Sequence, residues 1–101
     1  MSSKNAREVL WIAIRELMVS GGTLQERLAS AAIGLSTLSS KDNLPRQYQE
    51  TFDSIIMDLT KEPAVGNERK IAATTRKMSD QEATKIVSEI LDLYTQLRGG
   101  I

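Results

Sequence analysis

Apolar residues return every three or four positions in four separate stretches of this chain, and residues that start or stop helices fence each stretch. Such spacing lines the apolar side chains along one side of a 3.6-residue helix. In the first stretch, about 4–20, Ala6, Leu10, Ala13 and Leu17 form the stripe, flanked by Val9 and Ile14. Trp11, Ile12, Met18 and Val19 fall outside it and widen the apolar surface. Only narrow polar strips remain, holding Arg7, Glu8, Arg15 and Glu16. A helix apolar on nearly all sides is normally buried on nearly all sides. The pattern therefore predicts either the central helix of the fold or part of a subunit interface. Ser20-Gly21-Gly22 closes the stretch, because glycine accepts the left-handed conformation that ends a helix.

The second stretch, about 23–38, opens on Thr23-Leu24-Gln25-Glu26. This is a capping box, in which the threonine hydroxyl and the glutamate carboxylate each accept the other residue's amide. Leu24, Leu28, Ala31, Ala32, Leu35 and Leu38 follow, while Ala29, Ile33 and Gly34 thin the side-chain layer for a close helix neighbour. The third stretch, about 44–61, starts around Asp42-Asn43-Leu44-Pro45, where proline suits a first turn. Its stripe is Tyr48, Phe52, Ile55, Ile56 and Leu59, and Pro63 prevents continuation. The fourth, about 80–98, opens on a second capping box, Ser79-Asp80-Gln81-Glu82. It carries Ala83, Ile86, Val87, Ile90, Tyr94 and Leu97, with Leu91 and Leu93 at the margins and Gly99-Gly100 as its stop.

Four helices without a strand signal predict an all-α fold: a small, mostly antiparallel four-helix bundle over residues 1–101 as a single domain. A chain of 101 residues buries roughly two-thirds of its unfolded surface, enough for one core. Aromatics are limited to Trp11, Tyr48, Phe52 and Tyr94, so Leu, Ile, Val, Met and Ala must fill that core. The connection from about 62 to 78 is longer than antiparallel neighbours need, and loops of this length tend to be functional or disordered. Val65, Ile71, Ala72 and Ala73 could support a short helix there, against which Thr74 and Thr75 argue weakly. The segment is expected to be mobile.

Residue chemistry then narrows function. The chain has no Cys and no His, which removes the thiol nucleophile, the commonest general base and the usual transition-metal ligands. Glu50 with Asp53, and Glu89 with Asp92, are spaced to share a helix face, but a solvated face explains them fully. Gly21-Gly22 lacks the lysine and flanking pattern of a phosphate loop. No catalytic, cofactor-binding or metal-binding residue is therefore assigned, and the chain is read as non-enzymatic. Net charge is zero, with 13 basic and 13 acidic residues. That balance fits neither a nucleic-acid coat nor an acidic decoy. It conceals a dipolar layout, however. Arg69, Lys70, Arg76 and Lys77 face one acid, Glu68, between positions 66 and 77, so the remainder carries net −3. No apolar run approaches the ~20 residues that span a bilayer. With no secretory signal pattern at the N-terminus, a soluble cytoplasmic location is the expectation.

Two functional classes follow. The first is a non-catalytic regulator or adaptor that binds a protein, or a second copy of itself as a homodimer, through a helical face containing Trp11, Ile12 and Met18. Tryptophan is enriched at the energetic centres of interfaces. The alternative is a nucleic-acid-associated regulator using the basic segment Arg69, Lys70, Arg76 and Lys77. That segment holds no aromatic residue on which bases could stack.

Overall fold

Two helices begin where the sequence supplies its own partners for the first free amides. Thr23 Oγ1 accepts the amide of Glu26 at 3.1 Å, and the Glu26 carboxylate accepts the amide of Thr23 at 2.9 Å. Ser79 Oγ accepts the amide of Glu82 at 3.1 Å, and the Glu82 carboxylate accepts that of Ser79 at 2.9 Å. Both predicted capping boxes are thus formed. Before the first box, Gly22 adopts φ +98°, the left-handed turn that separates the first two helices.

A computed structural model describes residues 2–38, 44–64, 66 and 69–97. Among these residues the chain is all-helical: α1 (Ser2–Val19), α2 (Leu24–Leu35), α3 (Arg46–Leu59), α4 (Lys70–Arg76) and α5 (Asp80–Leu97). The expected four-helix bundle is therefore corrected to five helices, because the connection between α3 and α5 contains α4. The predicted helix start at Asp42-Asn43 and stop at Gly99-Gly100 lie outside the described residues, as does Val65. Pro45 precedes α3 as its N-cap instead of sitting inside the first turn, and Tyr48 donates its amide to the Pro45 carbonyl at 2.9 Å. α3 ends at Leu59, before Pro63. Thr60 closes it by donating its hydroxyl to the Ile56 carbonyl at 2.8 Å.

The core is aliphatic, as the scarcity of aromatics requires. Leu10 of α1, Leu28 and Leu35 of α2, Ile55 and Leu59 of α3, and Ile90 and Leu93 of α5 are its largest fully buried apolar side chains. The central element is α2, which packs against α1, α3, α4 and α5. α1 packs chiefly against α2 and α5, so the central position open to it from its sequence belongs to α2. Small side chains explain this placement. Ala31 and Ala32 are completely buried and let neighbouring helices come close. Gly34 plays no such part, since a Cβ there would meet open space.

The α5 stripe is rotated slightly from its predicted position. Ala83, Ile86, Ile90 and Leu93 face the core, while Val87, Tyr94 and Leu97 are only partly buried beside it. Both sequences of steps, 86-90-93 and 87-90-94, fit helical spacing, and packing against α2 and α3 selects the first. Burial holds α4 in place although Thr74 and Thr75 have weak helix propensity. Ile71, Ala73, Thr74 and Thr75 are all buried. The Thr75 hydroxyl donates to the Ile71 carbonyl one turn back at 2.9 Å, so neither buried threonine is left without a partner.

Polar side chains then tie helix ends together. Gln25 Nε2 donates to the Met78 carbonyl at 3.0 Å and to the Asp80 carboxylate at 2.8 Å, linking the first turn of α2 to the α4–α5 junction. Arg27 donates to the Leu17 carbonyl at 3.1 Å, satisfying an acceptor in the last turn of α1. The radius of gyration, 13.0 Å, is that of a compact chain of this length. None of the described helices is long and apolar enough to cross a membrane.

Candidate functional site

The inward side of α1 is accounted for by Ala6, Leu10, Ala13, Ile14 and Leu17, all buried. Its outward side is where the surplus apolar residues lie. Trp11 is 46% exposed, Ile12 54%, Met18 64% and Val19 67%. On a helix of 3.6 residues per turn, Trp11 and Met18 form one outward row and Ile12 and Val19 another. Glu8 and Arg15, both exposed, run between the two rows. Apolar side chains scattered singly on a surface need no explanation, but four grouped on the outward side of one helix make this face the candidate site.

The tryptophan is anchored from the side. Its ring centroid lies 6.1 Å from that of Tyr94, with the planes inclined at 32°. This is a tilted aromatic contact of the kind worth about 0.5–1.5 kcal/mol beyond area burial. Leu91, one turn before Tyr94 on α5, is 43% exposed. Sequence spacing put Tyr94 in the core stripe and Leu91 at its margin. The place of Tyr94 beside Trp11 comes from the way α5 packs on α1. Trp11, Ile12 and Met18 lie on one side of α1 as the sequence suggested, and Val19 and Tyr94 join them. Val19 was legible in the surplus apolar surface of the first stretch.

The four bases of the connection do not converge in the same way. Arg69 is the N-cap of α4 and Lys70 its first residue, whereas Arg76 is its last and Lys77 its C-cap. The two pairs stand at opposite ends of the helix, about 10 Å apart at 1.5 Å per residue. Lys77 Nζ lies 3.3 Å from the Glu62 carboxylate, an ion pair with both partners partly in solvent. Pairs of that kind contribute about 0–1 kcal/mol. Arg76 lines a shallow groove of ≈ 440 Å³ between α2 and α4, together with Thr23, Gln25, Glu26, Ala29 and Ala72.

The remaining carboxylates stay dispersed. Glu50 and Asp53 lie on the outer face of α3 in open contact with solvent. Glu89 is half-buried, with one carboxylate oxygen lacking a partner, and Asp92 is exposed. Among the described residues, no group of three or more acidic side chains is placed to hold a metal ion. The carboxyl of Glu82 is held below its ordinary range, mainly by the Ser79 amide it accepts, which is the signature of a helix cap. A second shallow groove, ≈ 460 Å³, lies between the end of α2 and α3 and is lined by Ser36, Leu38, Phe52, Asp53, Ile56 and Met57. Comparison of the chain with protein-family models, with curated proteins and with solved structures returned no match.

Proposed function

We propose that this chain is a non-catalytic helical interaction protein of the cytoplasm, one domain of mostly antiparallel helices, that binds a protein through the outward face of α1. The observation that carries the reading is the exposure of Trp11, Ile12, Met18 and Val19 together on one helix whose other side already fills the core. Covering such a group removes apolar area from water at about 25 cal/mol per Å². The ring of Trp11, held against Tyr94, loses little freedom when a partner arrives.

The alternative, a nucleic-acid-associated regulator using Arg69, Lys70, Arg76 and Lys77, has less in its favour. Lys77 already has an acidic neighbour in Glu62, and the four bases form no continuous stripe. Retention on immobilised DNA that falls steeply with salt, and is lost when those four residues are neutralised, would restore it.

The test of the principal reading is site-specific photocrosslinking in cells that naturally make the protein. A photoreactive residue at Ile12 or Met18 should give discrete protein adducts. The same group at the exposed Thr51, on the far side of α3, should not. Equal, diffuse labelling at all three positions would defeat the proposal.

A further inference from the structure

The outward face of α1 carries a charge pattern as well as an apolar one. Glu8 and Arg15 are seven residues apart on the axial line between the two apolar rows. Seven residues are nearly two full turns, so the two side chains share a direction and stand about 10 Å apart along the helix. Neither makes a hydrogen bond or ion pair with another described residue. Trp11 and Ile12 sit midway between them, one on each side of the line.

Resting on the reading that this face is the working surface, we infer that its occupant is a second copy of this chain, with the two α1 helices antiparallel about a twofold axis at Trp11 and Ile12. A twofold interface is self-complementary: if residue i meets residue j, then j meets i. Antiparallel pairing about the midpoint of positions 11 and 12 places Glu8 opposite Arg15 of the second copy, and Arg15 opposite its Glu8. The interface therefore gains two identical ion pairs, one on each side of the axis. Parallel pairing would set Glu8 against Glu8 and Arg15 against Arg15, and like charges held together oppose association. The charge order thus selects one direction of the two.

The apolar residues nearest the axis agree with the same symmetry. A twofold axis normal to the plane of the paired helices keeps each edge on its own side. Trp11 then lies level with Trp11 of the second copy and Ile12 with its Ile12, while Met18 and Val19, about 10 Å farther along each helix, lie beyond this central contact. Trp11 and Ile12, nearest the axis, become the closest contacts, and Glu8 and Arg15 bridge between the rows. Tyr94 flanks the Trp11 edge and widens the contact beyond a single helix pair. Even so, one helix face with a narrow flank is small beside the roughly 800 Å² per partner of a standard specific interface. The dimer is accordingly concentration-dependent and weakened by salt.

Sedimentation equilibrium of the purified full chain over a wide concentration range tests this. Wild type should pass from one to two chains as concentration rises. Glu8→Arg and Arg15→Glu, each alone, should weaken self-association by at least about tenfold, since each sets like charges opposite one another. An equimolar mixture of the two variants should recover a two-chain species, because each variant then meets the opposite charge at both contacts. Circular dichroism verifies that each variant is folded, and Glu8→Lys with Arg15→Asp repeats the exchange should one of the first pair fail to fold. A wild-type chain that stays monomeric throughout, single variants that dimerise like wild type, or a mixture that does not recover dimer would each overturn the inference. A monomeric wild type that still gives discrete adducts at Ile12 in cells removes the second copy and leaves the interaction surface. A monomer without such adducts removes both.

Discussion

The hydroxyl of Thr74 accepts the backbone amide of Glu62 at 3.0 Å, joining the chain that leaves α3 to the helix that precedes α5. Thr74 is 1% exposed, so the bond lies at the edge of the core. Thr75, equally buried, spends its hydroxyl on its own helix, at the Ile71 carbonyl. The two neighbours should therefore respond differently to the same substitution. Thr74→Val strands the Glu62 amide and is expected to cost about 1–2 kcal/mol in urea unfolding. Thr75→Val leaves the Ile71 carbonyl available to the helix ladder and should change stability by less than about 0.5 kcal/mol, within the range of near-neutral replacements. Equal losses would mean that the tie to Glu62 contributes nothing. In amide exchange, Ala73, Lys77 and Met78, whose amides are bonded, should be protected beyond Gly66.

Gly22 and Thr23 act on one glutamate. A Cβ at position 22 would run into the Glu26 carboxylate, and φ +98° already strains any other residue. Gly22→Ala should cost at least about 1 kcal/mol, and Thr23→Ala about 0.5–2 kcal/mol, as for other lost N-caps. Gly22→Ala displaces the Glu26 carboxylate from the Thr23 amide, and Thr23→Ala removes the hydroxyl that accepts the Glu26 amide, so the two changes break the two halves of one capping box and the double variant should cost less than their sum. Strict additivity in a double-mutant cycle would separate the glycine from the cap.

Glu82 gives the fold an acid-side dependence. Its carboxyl, held below 4.5 chiefly by the Ser79 amide, is more acidic folded than unfolded. A group depressed in this way stabilises the native state above its unfolded pKa, and that contribution disappears as pH falls through the folded value. Wild type should therefore lead Glu82→Gln in thermal stability at neutral pH, and the gap should close below about pH 4.5, the ordinary carboxyl value. A gap that persists to pH 2 would assign the difference to something other than the ionised cap.

Gln25 holds the α4–α5 junction against α2 with two hydrogen bonds from one amide group, to Met78 and to Asp80. Gln25→Ala should cost about 1–2 kcal/mol, the bond to a carboxylate being the stronger of the two. Faster amide exchange should follow at Met78 and Ala83, which bracket the junction. Gln25→Glu should be worse than Gln25→Ala, because it sets a carboxylate beside that of Asp80 and a carbonyl oxygen. Stability ordered the other way would show that Gln25 is not the tie.

Local rules decided much of this protein in advance. The boxes Thr23–Glu26 and Ser79–Glu82 span three residues each, and the stripe Phe52, Ile55, Leu59 needs only the period of one helix, so both are legible in the chain itself. The excess of apolar residues at Trp11, Ile12 and Met18 was equally visible, since it asks only how many sides of one helix are apolar. Tertiary structure decided the rest. Whether Leu93 or Tyr94 faces inward depends on what α5 meets, because both fit helical spacing. Thr74 and Thr75 have weak helix propensity, and they form part of α4 because burial and the Glu62 amide reward them there. α2 took the centre, and α1 was left with one side uncovered, because small residues at Ala31 and Ala32 admit neighbours that no single-helix pattern can count. Periodicity records which side of a helix is apolar, whereas the neighbour that covers it is set by contacts between residues far apart in the chain.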